Sequence, residues 1–119
     1  MITNDLLVFI VSEDAHFLRM LTDYLNVDTS LIVLNFVKFE DCESLLEERP
    51  KLIVLDWTSF SNQVIIEKQK ELQKIEFTEK VILVKSEQIL DLQGTSPHLY
   101  LEKGGNLFSQ LKTLALKNH

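Results

Sequence analysis

The sequence predicts one α/β domain built on a parallel, doubly wound sheet. Three observations carry that reading. Five short apolar runs recur, at 6–11, 31–36, 52–55, 81–84 and 99–101, rich in Val, Ile and Leu and without polar alternation. Runs of that kind suit strands covered on both faces, as in parallel sheets. Helical patterns separate them, and strand–helix alternation implies right-handed crossovers between parallel strands. A chain of 119 residues is one ordinary domain's worth, so residues 1–119 are read as a single unit.

The helices follow from spacing. Asp14 is a suitable N-cap for the first, in which Phe17, Leu21, Tyr24 and Leu25 fall on one face. Cys42, Leu45 and Leu46 form the apolar face of a second helix, stopped before Pro50. The third, over 62–75, has a thinner face of Ile65, Leu72 and Ile75, with Glu67/Lys70 and Glu71/Lys74 at i, i+3. Between Lys85 and Tyr100, Gly94 and Pro97 leave room for at most two helical turns, so the fourth helix is expected to be short. Leu107, Leu111, Leu114 and Ala115 mark the fifth.

Composition narrows the function classes. Hydrophobic residues make up 45% and charged residues 25%, with 3 Gly and 2 Pro, as in a soluble globular protein without long linkers. No apolar run approaches the roughly 20 residues that span a bilayer. The start, Met1-Ile2-Thr3-Asn4-Asp5, lacks the basic opening of a secretion signal. One cysteine excludes an internal disulfide, and a cytoplasmic location is the simplest expectation. The net charge of −6 disfavours nonspecific binding to nucleic acid or to anionic membrane. Acids at Glu40, Asp41, Glu43, Glu47 and Glu48 read first as a solvated helix face. His16, His98 and His119 show neither metal spacing nor a paired nucleophile.

In open parallel sheets, functional groups collect at the carboxyl ends of the strands. Those ends carry Ser12-Glu13-Asp14, Asp56, Lys85 and Glu102-Lys103. In strand order 2-1-3-4-5, strands one and three are neighbours, which places Glu13 near Asp56, with Lys103 reaching in from the edge.

These residues bear a resemblance to the receiver domain of two-component response regulators. Val8-Phe9-Ile10-Val11-Ser12-Glu13-Asp14 resembles its first strand, and Leu52-Ile53-Val54-Leu55-Asp56 its phosphoacceptor strand. Val81-Ile82-Leu83-Val84-Lys85-Ser86 resembles the fourth strand, and Tyr100-Leu101-Glu102-Lys103 the fifth. The likeness spans nearly the whole chain in order. It implies a flavodoxin-like (βα)5 three-layer sandwich. It also implies Asp56 as phosphoacceptor, Lys103 as the lysine that neutralises a phosphoryl group, and Tyr100 as the switch aromatic. A divalent metal, usually Mg2+, would be held by Glu13, Asp56 and the backbone carbonyl of Thr58. Partners would be a histidine kinase, a phosphotransfer protein or an effector, and a homodimer through helix four, strand five and helix five is a family pattern.

The departures matter as much. Ser12 stands where a first acid is expected, Lys85 where a Thr or Ser is expected, and Gly104 follows Lys103 in place of proline. Glu13 and Asp56 against Lys85 and Lys103 sum to zero charge, so only weak metal binding is expected. For Lys85 two readings stay open: a bridge to Asp56, or a stem along the surface with its head in water. For Tyr100, a half-buried edge-strand ring stands beside the switch reading. Trp57 reads as local packing and Cys42 as a buried thiol. The leading expectation is a receiver-like signalling domain acting through protein contacts, with a degenerate pocket. The alternative is a working phospho-receiver using Asp56 and Mg2+. A flavin-binding protein would need a phosphate loop where Glu13-Asp14-Ala15-His16 stands, and no catalytic nucleophile with an adjacent base is visible.

Overall fold

The computed structural model describes residues 6–76, 78–95 and 98–117. Five parallel strands, β1 (Leu7–Val11), β2 (Ile32–Phe36), β3 (Leu52–Asp56), β4 (Glu79–Val84) and β5 (Leu99–Glu102), form one sheet in the order β2-β1-β3-β4-β5. Between and after them come α1 (Ala15–Asn26), α2 (Phe39–Glu43), α3 (Asn62–Leu72), α4 (Ser86–Leu92) and α5 (Leu107–Leu116). This is the flavodoxin-like three-layer arrangement expected, short fourth helix included. Pro97, His119 and the first five residues lie outside the described residues.

The period-2 alternation of each strand splits the interior into two cores. Phe9, Val11, Ile53, Leu55, Ile82 and Val84 pack on one side of the sheet, with Cys42, Ile65, Leu72 and Leu92 from the helices. Val8, Ile10, Val54, Val81 and Leu83 pack on the other, with Phe17, Leu21, Leu25 of α1 and Leu107, Leu111, Ala115 of α5. Asp14 caps α1, its Oδ1 accepting from the Phe17 N–H at 3.1 Å. Ser61 caps α3, accepting from Val64 N–H at 3.3 Å.

Three expectations are corrected. The second helix is broken: α2 ends at Glu43, and a 3-10 turn over Leu46–Glu48 follows, because Leu45 leaves helical geometry at φ −103°, ψ 3°. Tyr24 is 36% exposed, its ring against Phe108 instead of in the core. The run at 31–36 is not covered on both faces: Ile32 and Leu34 of β2 are exposed. The five-residue α2 leaves that strand without a full layer above it.

Candidate functional site

Register brings the site together. Val11 of β1 pairs with Leu55 of β3, so the next residues, Ser12 and Asp56, leave the sheet side by side. They share the strand face of Val8, Ile10, Leu52 and Val54, since alternate residues face one way. The Ser12 hydroxyl, itself buried, donates to Asp56 Oδ2 at 2.6 Å. The same Oγ accepts from the Asp14 N–H at 3.0 Å, which fixes the turn into α1.

Lys103 follows β5 and crosses back over the sheet end. Its Nζ lies 2.7 Å from Asp56 Oδ2 and 3.1 Å from Asp14 Oδ2. It also sits 4.3 Å from the centre of the Phe17 ring. The other oxygen of Asp56, Oδ1, accepts from the Thr58 hydroxyl at 2.7 Å and from the Thr58 N–H at 3.3 Å. The Asp56 side chain is 5% exposed.

Burial alone would raise the Asp56 carboxyl. The hydrogen bonds from Lys103, Ser12 and Thr58, with the lysine's charge, outweigh it and hold the carboxyl below its ordinary 3.8. Burial likewise disfavours the Lys103 ammonium, but Asp56 and Asp14 outweigh that and raise it above 10.5. Asp14 is lowered, first by the Phe17 N–H it caps and then by Lys103.

An open cavity of about 520 Å3 lies over this cluster, lined among others by Glu13, Asp14, Asp56, Thr58, Lys68 and Lys103. Glu13 lines it but is exposed, on the strand face opposite Ser12 and Asp56. Lys85 does not reach the site. Asp56 pairs with Leu83, so Lys85 leaves β4 two residues farther on, a rise of about 6–7 Å. There its N–H donates to Gln88 Oε1 at 3.0 Å as α4 begins, and its side chain is exposed without an ion pair among the described residues. The reading with the head in water is the one the structure shows. The zero-charge argument therefore falls: the acids in contact with Lys103 are Asp14 and Asp56, while Glu13 and Lys68 only line the cavity.

The residues present do not make a metal cage. Among the described residues, no three His, Cys, Asp or Glu side chains are grouped to hold an ion. Thr58, expected to offer its carbonyl, turns its hydroxyl and N–H on Asp56. Hard cations want several oxygens free of competing donors, and both Asp56 oxygens already accept from protein groups.

Tyr100 is 6% exposed, in the core beside Ile82, Val84 and Leu92. Its hydroxyl donates to Gln69 Oε1 of α3. Gln69 is buried too, and its Nε2 donates to the Thr95 carbonyl and hydroxyl oxygens, both at 3.3 Å. Sequence reasoning missed Gln69, the contact of the N-cap Asp14 with Lys103 and the donor role of Ser12. Gln69 had a detectable signal: it lies at i+4 from Ile65, on the buried stripe of α3.

No protein-family profile matches the sequence, and no curated protein matches it. Solved structures match over nearly the whole chain. A response regulator receiver protein from Burkholderia phymatum aligns with a TM-score of 0.68 at 18% identity, over 92% of this chain and 94% of that one. The signal receiver domain of a putative Luxo repressor protein from Vibrio parahaemolyticus aligns with a TM-score of 0.65 at 19% identity, over 90% and 84%. The fold is that of response-regulator receiver domains. A third receiver-fold neighbour, an orphan response regulator of H. pylori, has a TM-score of 0.66 at 13% identity, over 96% and 99%.

Proposed function

We propose that the chain is a receiver-like signalling domain of a two-component system that works through protein–protein contacts and does not depend on phosphorylation. The observation that carries this reading is the occupancy of Asp56: three side chains of the protein, Ser12, Thr58 and Lys103, satisfy both carboxylate oxygens. An acceptor must present an oxygen lone pair to an incoming phosphorus, in a site whose electrostatics are prepared for transfer. Here attack requires breaking a 2.6 Å or 2.7 Å hydrogen bond first. Where the resemblance leads one to expect the first acid, this chain has a hydroxyl donor, Ser12, and the cation at Asp56 is Lys103. Partners of this reading are a histidine kinase, a phosphotransfer protein or an effector that recognises the rim of the cavity.

A second reading, a phospho-receiver using Asp56 with Mg2+, has one observation in its favour. With Lys85 away and Asp14 on Lys103, acids outnumber bases at the cluster. Incubation with a small phosphodonor and magnesium, followed by intact-mass measurement, separates the two. The first reading expects no mass change. A gain of one phosphate that vanishes in Asp56→Ala replaces it with the second.

A further inference from the structure

We infer that the groove between α2 and α3 takes a basic segment of a partner protein, with an apolar side chain on its aromatic bed and cations along its rim. The inference rests on the reading above, that the domain works by protein contact, and names the chemistry of one such contact. α2 ends at Glu43 after five residues, so little of it stands beside α3. A cavity of about 280 Å3 opens there. Phe39, Glu40 and Glu43 of α2 line one side, Lys68 and Glu71 of α3 the other, with the buried Trp57 as floor. Phe39, Glu40, Trp57 and Lys68 also line the cavity of about 520 Å3 over Asp56, so the two run together as one open groove.

Shape and charge name the occupant. Small-molecule pockets hold roughly 300–1,000 Å3 and enclose their ligand. Here a recess below that range opens into a wider trough, a form that suits a peptide chain. Phe39, Trp57 and Phe60 give the trough its apolar bed. The rim is acidic: Glu13, Glu40, Glu43 and Glu71 line the groove and make no ion pair among the described residues. Lys38 and Lys68 are the lysines that oppose them there, since Lys103 is held by Asp14 and Asp56.

Lys68 shows how this groove receives a cation. It is half-buried and has no carboxylate partner among the described residues, and its Nζ lies 5.0 Å from the centre of the Phe60 ring. An aromatic face holds an ammonium whose alkyl stem lies along apolar surface, and a partner's lysine or arginine fits the same way. The net charge of −6 steers a basic segment toward the groove and turns away acidic ones, nucleic acid and a second copy included. Asp41, Glu47 and Glu48, from the same acid-rich stretch, line neither cavity and serve as controls.

Trp57 is the only tryptophan in the sequence, so its fluorescence reports on the groove. The probe is a short peptide alternating lysine and leucine, free of aromatic residues, titrated into the full chain at low salt. Trp57 emission changes saturably, and affinity falls as NaCl is raised. Glu40→Gln with Glu43→Gln weakens binding by about threefold to tenfold, as the loss of two exposed charge pairs dictates. Glu47→Gln with Glu48→Gln removes equal charge outside the groove and weakens it by less than about twofold. All four positions are exposed, and circular dichroism checks the fold of each double variant. Equal losses in the two variants overturn the inference, because the attraction is then to net charge alone. So does a Trp57 signal that never responds, or equal binding of a peptide with serine for leucine or glutamate for lysine. Should the first variant unfold, peptide-induced amide shifts in the wild type decide: shifts centred on 39–43 and 57–72 uphold the inference, and shifts centred elsewhere overturn it. None of these results alters the intact-mass measurement on Asp56, so a failure of the groove and a failure of the phosphorylation-independent reading are told apart.

Discussion

Replacing Lys103 with Met strips Asp56 of its cation while keeping most of the aliphatic stem. The carboxylate is 5% exposed and the lysine 21%, so the pair is largely, not wholly, out of water. Removing one partner of a fully buried pair costs about 3–5 kcal/mol. The partial exposure of Lys103, and the Ser12 and Thr58 hydroxyls that remain, reduce this to about 2–3 kcal/mol. For a domain of this size that is a fall in Tm of roughly 10 °C. Urea unfolding followed by Trp57 fluorescence measures it, with the midpoint moving and the slope unchanged. The pH dependence carries a sign. Asp56 titrates below 3.8 when folded, so its contribution is present above that value and is lost as pH falls through the lowered folded pKa. Lys103 is raised, so its contribution is complete below 10.5 and is lost as pH climbs through the raised folded pKa. The gap between wild type and Lys103→Met is therefore wide at neutral pH and narrows as pH falls below 3.8. A neutral-pH loss under about 0.5 kcal/mol, the size of an ordinary surface change, refutes the reasoning. So does a gap that stays constant on acidification.

Ser12→Asp puts a second carboxylate against Asp56. It lowers stability by about 1–3 kcal/mol without metal and makes the melting temperature rise with millimolar MgCl2, which wild type does not show. Lys85→Ala changes stability by less than about 0.5 kcal/mol in a urea titration, because the side chain is exposed and makes no ion pair among the described residues. Tyr100→Phe leaves Gln69 Oε1 without its phenol donor in the core and costs about 1–3 kcal/mol by thermal melting. The Cys42 thiol, pushed up to about 11 by burial first and by neighbouring acids, stays unmodified by a thiol reagent at pH 8 in the folded protein and reacts on unfolding.

The sheet was legible because its strands are unbroken Val, Ile and Leu runs, and a buried parallel strand has few other ways to look. The Asp56–Lys103 pair was legible because both residues end strands, and strand ends converge at one rim. Lys85 misled for a physical reason. Strand-end position is necessary for reaching the site, but the register of β4 against β3 decides the height at which a side chain emerges. Ser12 was read as a lost acid when it is a gained donor, since a sequence shows which charge is missing and not which hydrogen bond replaces it. The exposure of β2 was hidden in the same way. Its own residues look like a core strand, and only the early end of α2 at Glu43 uncovers them.

The buried amide of Gln69 has a mechanical consequence. It grips the Tyr100 phenol with its oxygen and the Thr95 segment with its nitrogen, so the third helix, the last strand and the connection leading into it are clamped at one point. None of the three can slide without abandoning a polar contact that water cannot readily replace. Displacing any one of the three therefore breaks a polar contact of the buried Gln69 amide.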